Sequence, residues 1–203
     1  MSISGESDEA LLLRFQRGDK AAFRPLLRRH QRSIYNFVLR QVRSPSAAED
    51  ITQDVFVKVV RKADTFKNEA RFRTWLFAIA RNSCIDHLRK QKLRRHRSLD
   101  DSVGPDSSRT TLGERVPNKH PSSSAERSVV GDDMGRRVTL AVDALPNEQR
   151  EVFLLRQLGK VPFKEIAKMT GVSENTVKSR MRYALERLQK ALADYEEYIR
   201  ALG

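Results

Sequence analysis

Asp50, Gln53 and Asp54 stand at i, i+3 and i+4, a spacing that sets three side chains on one side of a helix. Ile51, Val55 and Val59 mark the opposite, apolar side. Glu49 and Asp50 in a first turn complement the helix dipole, but Asp54 lies a turn further in and has no such reason to be acidic. Far along the chain, Lys178, Ser179, Arg182 and Glu186 lie opposite an apolar series, Val177, Met181, Ala184, Leu185 and Leu188, with Ser173, Glu174 and Asn175 ahead of them. Arg, Lys, Asn and Ser supply the donors and acceptors that base edges in a major groove require. A recognition helix presents its N-terminal part to those edges, while Arg180 and Arg187 are better placed for phosphates. Between the two sets, residues 71–97 hold nine bases and one acid, Asp86, a net +8 suited to tracking a nucleic-acid backbone. That backbone would repel the Asp50–Asp54 stripe, so the stripe calls for a basic protein partner.

This chemistry is recognition, not catalysis. Asp50 and Asp54 resemble a metal pair for phosphodiester cleavage, but no third carboxylate or histidine joins them in sequence. His87 and His96 sit in a basic run without ligand spacing, and the single cysteine, Cys84, excludes both an intramolecular disulfide and a cysteine cage for zinc. Cys84 lies on an apolar helix side and reads as a buried thiol. No metal, cofactor or enzymatic activity is expected. Phe72, Trp75 and Phe77 are candidates for stacking on melted bases, but the core stripe claims Phe72 and Trp75.

The elements that position these residues are all helices. Ser7 caps a first helix that Gly18 stops, and Asp19 caps a second, broken at Ser44-Pro45. Ser46 with Glu49 has capping-box spacing for a third, running to about Ala63. In the fourth, to about Arg97, Phe72, Leu76, Ile79, Ala80, Cys84 and Leu88 form a helical stripe. Residues 98–134 change character, with three prolines, three glycines and eight serines, which is linker composition. Seven acids against four bases give this stretch −3, so the +13 of the chain divides into −3 here and +16 in the flanking modules. From 135 onward the chain is helical again. Pro146 opens one helix and Gly159 ends it. Pro162 in the first turn, Gly171 at C′ and Ser173 at the next N-cap then build a helix-turn-helix. The prediction is an all-α chain of two helical domains, 1–97 and 135–203, joined by a flexible acidic linker, 98–134. A +13 chain with pI near 10.3 attracts polyanions. No apolar run reaches membrane-spanning length, the N-terminus lacks a signal pattern, and the expected setting is cytoplasmic.

Ala48-Glu49-Asp50-Ile51-Thr52-Gln53-Asp54-Val55-Phe56 closely resembles the region-two hallmark of extracytoplasmic-function sigma factors, a group of the sigma-70 family. Phe72 to Asn82 looks like the segment that follows it. Leu145-Pro146, Glu151-Val152-Phe153, Glu165-Ile166-Ala167 and Gly171 to Arg180 resemble region four, all in family order and at family spacing. The resemblance implies an alternative sigma factor that binds core RNA polymerase and directs it to promoters. Asp50, Gln53, Asp54 and Phe56 would dock on the clamp helices of the largest subunit, and region four would sit at the flap. Asn82, Asp86 and Arg89, with Arg71 and Arg81, would engage the minus-ten element, and the loop Thr65–Arg71 would hold a flipped base. Ser173, Glu174, Asn175, Lys178, Ser179, Arg180, Arg182 and Tyr183 would face the minus-thirty-five element. An anti-sigma partner is common in the family. Three departures stand out: Pro162 replaces a Ser or Thr cap, Tyr183 a base-contacting Arg of some relatives, and the linker is longer than usual. The linker spans roughly 120 Å when extended, at about 3.3 Å per residue, so a scaffold must set the distance between the two DNA readers. The competing reading is an operator-binding regulator acting alone, usually as a dimer, which would leave the first half without a purpose.

Overall fold

A computed structural model describes residues 5–67, 71–100 and 128–202, with side chains of 95–100, 128–133 and 194–202 left undescribed. Among the described residues eight α-helices follow one another: α1 (Asp8–Gln16), α2 (Phe23–Val42), α3 (Pro45–Lys62), α4 (Phe72–Asp100), α5 (Ser128–Ala144), α6 (Asn147–Gln157), α7 (Phe163–Thr170) and α8 (Glu174–Leu202). No strand occurs among the described residues.

Local side-chain chemistry sets most boundaries. Ser7 Oγ accepts from Ala10 N at 3.2 Å, and Ser173 Oγ from Thr176 N at 3.1 Å. Asp19 accepts from Ala21 N and starts a 3-10 turn, Lys20–Ala22, that leads into α2. The third helix begins differently from expectation. Ser44, not Ser46, is its N-cap, accepting from Ala47 N, and Pro45 occupies the first turn. Proline preorganises that position and has no N–H to leave unpaired, so the cap falls before it. Ser46 is left hydroxyl to hydroxyl with Ser44 at 3.2 Å.

The first four helices form a bundle around Leu11, Leu12, Leu26, Ile34, Phe37 and Val55, joined from α4 by Phe72, Leu76 and Phe77, all fully buried. Phe37 and Phe77 meet edge to face at 5.4 Å. The α4 stripe is buried as expected down to Cys84, but Leu88 is exposed, where it lines an open cavity with Val42, Arg43 and Arg150. Helix α5 begins at Ser128, inside the stretch read as linker. The rest of that stretch, 101–127, lies outside the described residues.

In the second group, α6, α7 and α8 enclose Val152, Leu155, Val161, Ile166 and Val177. Gly171 takes φ +71°, the left-handed geometry that favours glycine. Pro162 stands one residue earlier than expected, as the N-cap of α7, without a side-chain cap. Leu185 is exposed, so the apolar side of α8 is narrower than its sequence spacing suggested.

Candidate nucleic-acid and partner interfaces

On α3, Asp50, Gln53 and Asp54 are all exposed on one side of the helix. Phe56 is not: it is buried, edge to face with Phe23 at 6.4 Å. A docking role for its ring, as the resemblance implied, conflicts with this burial, because the helix turns it into the bundle. The exposed side continues instead through Val57, three residues beyond Asp54 and 47% exposed. Val57 is a candidate that sequence reading missed. Its spacing from Asp50, Gln53 and Asp54 (i+7, i+4, i+3) was the available signal.

On α4, Asn82, Asp86 and Arg89 are exposed together, and Arg71 is exposed just before the helix. Of the loop Thr65–Arg71, residues 68–70 lie outside the described residues. Its flanks are aromatic. Phe66 sits 5.3 Å from Trp75 and 6.3 Å from Phe72, and Phe72 in turn 5.5 Å from the His30 ring. Phe72 and Phe77 are therefore core residues, and Trp75 is half-buried against them.

Arg81 stands apart from the outward set. Its Nε donates to Glu151 Oε1 of α6 at 2.9 Å, and both side chains are less than a fifth exposed. Nearby, Arg73 donates to Leu158 O at 2.7 Å, while Arg40 on α2 reaches Asp143 at 2.8 Å and Thr139. Helix α4 thus meets the second group on one side and solvent on another. At this contact Gly159 lies so close that an added Cβ would stand 2.5 Å from Leu155 O and 3.0 Å from the Phe77 ring. Lys160, not Gly159, carries the left-handed φ of that turn, +52°.

Cys84 faces the same boundary. Burial, reinforced by the negative charge of Glu151 and opposed by Lys58, pushes its thiol up to about 12. Arg150 is buried in the corner between α5 and α6. It donates to Leu145 O at 3.1 Å and Asn147 Oδ1 at 2.7 Å, and burial pulls its pKa down.

On α8, Asn175, Lys178, Ser179, Arg182 and Tyr183 are exposed, as is Ser173 before it. Lys178 pairs with Glu174 at 2.8 Å, and the Arg182 guanidinium lies over the Tyr183 ring at 4.9 Å. Arg180 is drawn away from this side, its side chain one-fifth exposed and paired with Glu148 at 2.6 Å. Among the described residues no cluster of three or more His, Cys, Asp or Glu forms a metal site. None of the described helices is long and apolar enough to cross a membrane.

Sigma-70 region 2 matches residues 26–94, and Sigma-70 region 4 matches 135–188. Over 94% of its length the chain is 30% identical to the RNA polymerase sigma-H factor of Pseudomonas aeruginosa, covering 96% of that protein. The chain belongs to the sigma-70 family. It is also 30% identical to the ECF RNA polymerase sigma-E factor of Escherichia coli, across 89% of the chain and 91% of that protein. The sigma factor RpoE of Bartonella quintana, solved with the anti-sigma factor NepR, superimposes with a TM-score of 0.58 at 25% identity, covering 84% of this chain and 96% of that one. CnrH, solved with the cytosolic domain of CnrY, shares the fold with a TM-score of 0.62 at 22% identity, over 93% and 99% of the two chains. The chain is an alternative sigma factor of the extracytoplasmic-function type, acting in transcription initiation through two helical regions, the second a helix-turn-helix.

Proposed function

We propose that the exposed α3 stripe of Asp50, Gln53 and Asp54, extended by Val57, docks this sigma factor on the clamp helices of core RNA polymerase, with region four at the flap. The observation that carries this reading is the sidedness of α3: acids and an apolar side chain share its solvent side on a strongly basic protein. Acids there gain nothing from DNA, whereas a basic helix pair offers them complementary charge and steering. Asn82, Asp86 and Arg89, with Arg71, engage the minus-ten element, and the loop after Thr65 receives a flipped base. Because unstacking costs a few kcal/mol per step, polymerase contacts must share in driving it. Lys178, Ser179 and Arg182, with Ser173, Glu174 and Asn175 at the helix start, read the minus-thirty-five element, and Tyr183 alters its specificity. Arg81 and Arg180 join DNA only when their acidic partners release them. The protein works in the cytoplasm without catalysing a reaction or holding a cofactor, and its polymerase-binding surfaces are those an anti-sigma factor would mask.

The test is addition of the purified protein to sigma-free core polymerase, followed by assay for a stable complex and promoter-dependent transcripts on genomic fragments. Complex formation and initiation, both lost in Asp54→Ala, are expected. A protein that ignores core enzyme yet binds one defined duplex unaided would instead be an operator-binding regulator.

A further inference from the structure

A cavity of about 360 Å³ lies where α2 and α4 of region two meet α6 of region four, within the range of small-ligand sites, roughly 300–1,000 Å³. Its wall is mostly apolar, supplied by Phe37 and Val42 of α2 and by Cys84, Ile85 and Leu88 of α4. The polar groups around it are unequally served. Glu148 and Glu151 line it, but Arg180 holds the first at 2.6 Å and Arg81 the second at 2.9 Å. Arg43 and Arg150 line it as well, and their acceptors are all neutral. Arg43 donates to Asp143 O at 2.6 Å, and Arg150 to Asp143 O, Leu145 O and Asn147 Oδ1. The Asp143 carboxylate itself is engaged by Arg40. The two guanidinium charges weigh on each other: burial first, and the Arg43 charge next, lower the pKa of Arg150, against the pull of Asp143. Two donors on this wall also lack a protein acceptor. Arg150 is 3% exposed and its Nε has no hydrogen-bond partner, nor has the buried Nε2 of Gln41, another lining residue. A buried donor without an acceptor is costly. Charge and orphan donors thus call for the same group, an anionic acceptor, and the apolar wall calls for a hydrocarbon body attached to it.

We propose that this cavity binds a small organic carboxylate with an apolar body, its carboxylate held by Arg43, Arg150 and Gln41 and its body laid against Val42, Ile85 and Leu88. Guanidinium donors suit a carboxylate better than any other side-chain cation does, because their fork matches its two oxygens. Gln41, Arg43 and Leu88 belong to region two and Arg150 to region four, so the bound molecule joins the two regions. A ligand that binds only the joined arrangement shifts the population toward it. The site is separate from the surfaces proposed for polymerase and promoter, and it stands or falls without them.

The test is an NMR titration of the full-length protein with phenylacetate and hexanoate, and with phenylacetamide and hexanamide as their uncharged counterparts. At least one of the two carboxylates should bind saturably at millimolar concentration and shift the backbone amide signals of α2, α4 and α6 around the cavity. Its amide should bind about tenfold more weakly or worse, the scale of a lost hydrogen bond to a charged group, and acetate, which has no body to bury, should fall short by a similar factor. Arg43→Gln removes a charge from an exposed position and should weaken binding about tenfold. Leu88→Trp fills the cavity and should abolish it. Both variants should keep the wild-type circular dichroism and Tm. No saturable shift from either carboxylate would overturn the proposal. Equal binding of a carboxylate and its amide would leave a plain apolar pocket, and equal binding of acetate a plain anion site; either would sink the ligand class inferred here. Undiminished binding to the Arg43→Gln variant, or shifts confined to another part of the chain, would remove the site from this cavity.

Discussion

At the scale of single residues, the chemistry is hydrogen bonding and charge, and each side chain makes a separate prediction. Lys178→Ala or Arg182→Ala should weaken promoter binding by about 1–3 kcal/mol if the residue reads a base, visible as relaxed preference in the minus-thirty-five element in a competition assay. Neutrality of both for promoter choice would move the recognition side elsewhere on α8. Asp8 makes a stability prediction. Its hydrogen bond from His30 at 2.7 Å, aided by Arg29 and opposed by burial, holds its carboxyl below the usual range. A depressed folded pKa stabilises above the unfolded carboxylate value of about 3.9, and that stability is lost as pH falls through the folded value. Asp8→Asn should therefore lower the urea midpoint at pH 7 and flatten its decline below about pH 4. The Cys84 thiol, held near 12 by burial, should resist alkylation in the native protein and react in denaturant; fast native labelling would contradict its position.

Caps and turns were the most legible elements, because each is closed by atoms only a few residues apart. Ser7, Ser173 and Gly171 needed nothing from the rest of the molecule, and they fell where sequence placed them. Ser173→Ala should cost about 1 kcal/mol of region-four stability, measured by chemical unfolding. The start of α3 was harder, since Ser44 and Ser46 both offered a cap and proline geometry decided between them. Periodicity correctly assigned the buried side of α4 and α8 but not its width or length. Leu88 and Leu185 keep helical register with the core, yet both are left exposed. Phe56 shows the converse: a sequence hallmark groups it with Asp50, Gln53 and Asp54, while its position on α3 turns it inward. Val57, the side chain that does point out with them, belongs to no hallmark.

Across the whole molecule, contacts between distant positions carry the information that sequence withheld. Arg81 meets Glu151 seventy residues on, and nothing in the spacing of either announces it. The same holds for Arg73 with Leu158 and Arg40 with Asp143. These contacts draw region four against α2 and against the side of α4 next to the exposed one that carries Asn82, Asp86 and Arg89. Glu151→Lys places two cations together and should weaken the contact by about 1–3 kcal/mol, between the values for exposed and for buried pairs. The expected result is a larger radius of gyration by small-angle scattering and stronger salt-sensitive binding of the free protein to DNA. Unchanged scattering would mean that Arg81 and Glu151 do not hold the regions together. Gly159→Ala should act in the same direction through sterics, since its Cβ has no room beside Leu155 and Phe77.

Helix α4, touched on one side and open on the other, also bears on where the protein spends its time in a cell. A chromosome offers on the order of a million or more nonspecific sites, far more than any pool of polymerase. While Arg73 and Arg81 are engaged internally, α4 meets those sites with fewer of its cations, and nonspecific affinity falls steeply with each phosphate contact withheld. On the proposed role of α4, the folded-back chain should be partitioned away from the bulk of the genome and left free to be counted against polymerase.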